Sequence, residues 1–103
     1  MYNSEMIRAD LEPARARYEA QLREGQTPHW IPDQRTKDLW CLGKWIDAKL
    51  SGDTRRIEML HYFNRIVRAE QDPFAVAAVV MNTHLNGTPL QDCYQRFYRE
   101  RGK

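Results

Sequence analysis

The sequence predicts an all-α fold: a compact bundle of about five helices around a central apolar helix at residues 73–85, with an extended, proline-containing strap at 25–34 crossing outside it. Three observations carry this reading. Asp72-Pro73 opens an apolar run that Asn86-Gly87 closes, and Thr88-Pro89 at once opens another stretch, which spells helix, turn, helix. The enclosed run, Phe74 to Leu85, has few polar positions on any face, and a helix apolar all round has to be buried by other helices. Elsewhere apolar residues recur at spacings of three and four, the period of an amphipathic helix.

The first such stripe is Ile7, Leu11, Ala14, Tyr18 and Leu22, with charges on the other face. Pro13 interrupts it. The reading adopted is that Asp10 caps the rigid part of the helix and leaves Pro13 in the tolerated first turn; the other is one helix from about Ser4 that kinks near residue 12. Residues 1–9 are therefore either flexible or a short N-terminal helical extension of a single domain spanning 1–103. Gly25 ends the element. Pro28 and Pro32 then exclude regular helix and push the residues before them toward extended geometry. Trp30 and Ile31 are expected to fold back over one end of the bundle, or else to leave Trp30 exposed as an anchor for a partner.

From about Thr36 to Leu50, the residues Leu39, Leu42, Ile46 and Leu50 line one face with Trp45 beside them, and Ser51-Gly52 stops the helix. Trp40 points about a third of a turn away, beside Lys44 and Asp47. It is either covered, by the strap for instance, or exposed as a contact. Asp53 or Thr54 can cap the next helix, which is expected to reach about Gln71 and to bury Met59, Leu60, Phe63, Ile66 and Val67. On its opposite side His61, Arg65 and Arg68 share one face within two turns, near Asn64. That face is either ordinary solvated surface or an electropositive strip aimed at phosphate or an acidic protein.

In the apolar helix, Ala75, Ala77 and Ala78 allow close approach while Val76, Val79, Val80 and Met81 supply volume. Thr88-Pro89-Leu90-Gln91 has the pattern of a capping box opening a last helix, apolar through Leu90, Cys93, Tyr94, Phe97 and Tyr98 and basic through Arg96, Arg99 and Lys103.

Composition bounds the function. A 103-residue chain that is 42% hydrophobic and 29% charged is an ordinary globular domain, and a net charge of +2 gives no global field of the kind that marks an obligate nucleic-acid binder. Cys41 and Cys93 form no Cys-x-x-Cys pair and read as reduced packing residues. The opening residues lack the basic and apolar regions of a secretory signal, and no run approaches the roughly 20 apolar residues of a membrane span, so a cytoplasmic location without membrane contact is expected.

His29, His61 and His84 have no second ligand at metal spacing, Ser4 and Ser51 stand in no nucleophile-elbow context, and no glycine-rich loop could cradle a phosphate. No catalytic residue, metal or cofactor is expected, and the chain is not read as an enzyme. Arginine and tryptophan dominate binding hot spots, and this chain holds three tryptophans and several arginine-rich faces. The expected function is a small non-enzymatic protein-binding module, an adaptor, regulator or inhibitor acting by surface occupation. An inhibitor carried by a mobile element against a host complex is one concrete version. The contact residues would be Trp30, Trp40, His61, Arg65, Arg68, Arg96 and Arg99. The alternative is a DNA-binding regulator whose last two helices form a helix-turn-helix, with Gln91, Asp92, Gln95, Arg96 and Arg99 facing the groove. A homodimer through the aromatic side of the last helix is a further option.

Overall fold

In a computed structural model, which describes residues 1–68 and 72–85, the chain forms four helices and, among those residues, no strand. They are α1 (Ser4–Arg23), α2 (Gln34–Lys49), α3 (Arg56–Val67) and α4 (Pro73–Leu85). The expected fifth helix, from Thr88 onward, lies outside the described residues. Both α2 and α4 pack against all three other helices, whereas α1 and α3 do not touch one another. One core results, built from Ile7 and Leu11 of α1, Cys41, Leu42, Trp45 and Ile46 of α2, Met59, Phe63 and Ile66 of α3, and Phe74, Val76, Ala77, Val80 and Met81 of α4. No helix among the described residues is long and apolar enough to cross a membrane.

The start of α1 corrects the sequence reading. Asn3, not Asp10, is the N-cap: its side chain accepts the Met6 amide at 2.9 Å and its carbonyl accepts that of Ile7 at 3.1 Å. Pro13 then sits inside the helix and cannot donate to the Ala9 carbonyl. Both Ala9 and Pro13 are exposed, so solvent can serve that carbonyl and lower the cost of the missing bond. The N-terminal residues ahead of the helix are held as well. The Asn82 side chain of α4 reads the backbone of Tyr2 twice, its Oδ1 accepting the Tyr2 amide at 2.7 Å and its Nδ2 donating to the Tyr2 carbonyl at 2.9 Å. Tyr2 in turn meets the Trp45 ring edge to face, 5.7 Å between centroids.

Gly25 and Gly52 end α1 and α2 with φ of +83° and +86°, the left-handed geometry that glycine adopts without a Cβ clash. Asp33 caps α2 by accepting the Thr36 amide at 2.7 Å, so Gln34, expected in the strap, is already helical. Within the connection Pro32 is buried and Trp30 half-buried, whereas Ile31 is 80% exposed. The expectation that Ile31 covers the bundle is thus overturned; the proline next to it is the buried residue. Neither Asp53 nor Thr54 is the N-cap of α3. That position falls to Arg55, with no side-chain cap bond, while the Asp53 carboxylate accepts the Arg55 amide at 2.7 Å and tightens the turn ahead of the helix. Leu60 is half-buried rather than sealed, and the helix ends at Val67, short of the expected Gln71, with Arg68 as its C-cap. Asp72 does open α4, accepting the Phe74 amide at 3.1 Å, and eight of the 13 residues of α4 are buried.

Val80 has no exposed surface. An aspartate there has neither a partner nor water, and an unpaired buried charge costs several kcal/mol, comparable with the whole stability of a small domain. Val80→Asp is expected to abolish the helical circular dichroism signal or the soluble yield; a soluble, fully helical variant would contradict this core.

Candidate functional site

The α3 sequence divides its own circumference. At 100° per residue, Met59, Phe63, Ile66 and Val67 fall on one side and enter the core, and Ile57, His61, Asn64, Arg65 and Arg68 fall on the other. All five of these are exposed, Ile57 to 59%. The structure therefore brings together three of the expected contact residues, His61, Arg65 and Arg68, and adds an apolar neighbour, Ile57, which the sequence reading passed over. Arg65 also makes an interaction within the chain.

Another residue joins this end of α3 from far away in sequence. Arg35, in the first turn of α2, donates from Nη2 to the carbonyl of Val67, the last residue of α3, at 2.7 Å. A cation there opposes the negative pole of the helix dipole. Nothing in the local sequence announces it, because the contact spans 32 residues.

The other expected contact residues are placed elsewhere. Trp40 is half-buried against α1: its Nε1 donates to the Tyr18 carbonyl at 2.8 Å and Lys44 Nζ lies 4.9 Å from its ring centroid. It is α1, not the strap, that accepts its indole hydrogen. Trp30 sits in the α1–α2 connection, its amide donating to the Thr27 carbonyl at 3.1 Å. Arg96 and Arg99, and with them the second element of the helix-turn-helix reading, lie outside the described residues.

Much of the remaining charge is tied down between helices. Arg15 reaches Asp38 of α2 at 3.1 Å and Glu19 of its own helix at 3.3 Å, Arg56 pairs with Asp47, and Arg8 lies 3.9 Å above the Phe74 ring. Asp10 accepts from both Trp45 Nε1 at 2.6 Å and Lys49 Nζ at 2.9 Å. Those two bonds, that of Lys49 foremost and then that of Trp45, hold the Asp10 carboxyl below the usual aspartate range, and the bond to Asp10 raises the Lys49 ammonium.

One cleft brings together residue types capable of catalysis. Ser51, Asp53 and His84 line a depression of about 350 Å³ between the α2–α3 turn and the end of α4. Asp53 Oδ2 takes the Nε2 side of His84 at 3.1 Å, and Nδ1 is buried with no hydrogen-bond partner among the described residues. A base needs its second nitrogen within reach of the nucleophile, so this ring is oriented against taking a proton from Ser51. Cys41 is fully buried, and burial pushes its thiol up to about 11, which leaves little thiolate to act as a nucleophile. Cys93 lies outside the described residues. Among the described residues no group of three His, Cys, Asp or Glu side chains could hold a metal ion. No protein-family model, curated protein or solved structure matches the chain.

Two outcomes follow from this chemistry. In a Cys93→Ser variant, whose sole thiol is Cys41, iodoacetamide at neutral pH is expected to leave the native protein unmodified and to alkylate it once it is denatured; rapid native alkylation would contradict the sealed thiol. Asp10, with its folded pKa depressed, stabilises the protein fully above its unfolded pKa of about 3.9, and that contribution disappears as the pH falls through the lower folded value. Asp10→Asn should therefore be less stable than the parent at pH 7, with the gap in urea midpoint closing below about pH 4. A gap unchanged between neutral and acid pH would contradict the assignment.

Proposed function

We propose that the chain is a small non-enzymatic protein-binding module, an adaptor, regulator or inhibitor that acts by occupying the surface of an acidic protein partner through the outward face of α3. The observation that carries this reading is the exposure, on one helix face, of His61, Arg65 and Arg68 together with Asn64 and Ile57. Arginine at the centre of an interface supplies several directed donors, and an apolar neighbour excludes water from them. A module of this kind works by steric block or recruitment. In this reading the bundle is completed by a fifth helix after Thr88, α4 is the helix the others surround, Arg96 and Arg99 extend the basic surface, and the protein acts in the cytoplasm.

Because both residues are exposed, replacing both Arg65 and Arg68 by Glu should leave the chain folded and helical, with the unfolding midpoint lowered modestly by the lost Arg65 interaction and by acids at the negative pole of the helix dipole. Affinity capture from the source cell is expected to recover an acidic partner with the parent chain, with affinity falling about tenfold or more for the charge-reversed variant. Recovery of the same proteins in the same amounts with a folded variant would contradict the proposed surface.

A further inference from the structure

The α3 face is polarised along its axis as well as across it. On the exposed side Glu58 stands in the first turn, Arg65 in the last, and Arg68 directly follows the helix, while Arg55 and Arg56 at the start are half-buried and engaged with Met59 and Asp47. Exposed Ile57 lies about 16 Å from Arg68 along the axis, at 1.5 Å per residue. The ordinary explanation for arginines at such an end is the helix dipole, yet the last helical carbonyl already receives Arg35 of α2 at 2.7 Å. Arg65 and Arg68 thus add exposed positive charge to an end already served by another cation. A phosphate backbone would be repelled by Glu58 and would gain nothing from Ile57, so the mixture favours a protein over a nucleic acid.

We infer that this face seats an amphipathic helix of a protein partner lying antiparallel to α3, with carboxylates in its first two turns against Arg65 and Arg68, an apolar side chain two to three turns later against Ile57, and a cation beside Glu58. This rests on the binding role proposed for α3 and specifies its occupant. The charge order needed in the partner, acidic at the start and basic at the end, is also the order that stabilises a helix by itself. Two helices with that order attract when antiparallel and repel when parallel. The partner segment is therefore an acid-first amphipathic helix.

The test uses the full chain and two labelled synthetic peptides of equal composition, each of roughly 18 residues, about five turns. Both carry leucines on one face; one has glutamates in its first two turns and lysines in its last, and the other has these blocks exchanged. By fluorescence anisotropy the acid-first peptide is expected to bind at least tenfold more tightly than the exchanged one, with Ile57→Ser and Arg68→Glu each weakening it several-fold while circular dichroism stays unchanged. Equal binding of both peptides, lost in Arg65→Glu/Arg68→Glu, would overturn the antiparallel helix and leave the surface standing. Binding unaffected by that double reversal, or no binding of either peptide, would overturn the inference, and the former would remove the surface with it. Tighter binding of a labelled DNA duplex, weakening steeply with salt, would assign the face to phosphate instead.

Discussion

The Asp10 carboxylate holds the seam on which the arrangement of α1, α2 and α4 depends. Trp45 is 4% exposed, and an indole buried so far must find an acceptor for its N–H or bear the cost of an unsatisfied donor. Asp10 supplies that acceptor at 2.6 Å, and Lys49 at 2.9 Å keeps the acid ionised. With Trp45 fixed, its ring receives the edge of Tyr2, and Asn82 of α4 clasps the Tyr2 backbone through two hydrogen bonds. One polar contact is thus linked to three elements, and each link is a directed interaction that specifies orientation where apolar burial alone would not.

This placement of α1 also determines what is left for function. Among the described residues α1 packs on α2 and α4 and makes no close backbone approach to α3, and Ile57, His61, Asn64, Arg65 and Arg68 on the outward side of α3 are exposed. On the α1–α2 side some cations are tied to carboxylates, Arg15 to Asp38 and Glu19 and the still exposed Lys49 to Asp10. His61, Arg65 and Arg68 are exposed on a helix whose other face is anchored by Met59, Phe63, Ile66 and Val67. A mixed basic and apolar stripe at helical spacing is what the proposed binding role of α3 requires.

What the sequence shows and what it hides divide along contact range. The buried faces of α2 and α3 and the start of α4 follow from local pattern: Leu42 and Ile46 share a stripe, Met59 and Phe63 share another, and Asp72-Pro73 is a helix start in two residues. The His61, Arg65, Arg68 face is legible for the same reason, since spacings of four and three set it. Contacts between distant residues are not legible. Asn82 is an ordinary polar residue in an apolar run until Tyr2 is placed against it, 80 residues away, and Arg35 is one arginine among many until Val67 ends its helix nearby. Asp10 misled by its type, for an aspartate three residues before a proline has the look of a cap, whereas its carboxylate is engaged by Trp45 and Lys49 and Asn3 caps the helix instead. Ile31 and Pro32 misled by hydropathy, because the side chain with more apolar character is the exposed one.

The seam is tested most directly by a double-mutant cycle on its two partners, Asp10→Ala and Trp45→Phe, followed by denaturant unfolding at neutral pH. If the Asp10–Trp45 bond orients α1 on the bundle, the two substitutions are coupled by about 1 kcal/mol or more, since each removes the same interaction. Losses that add to within roughly 0.3 kcal/mol would show the two side chains acting independently and would contradict the account.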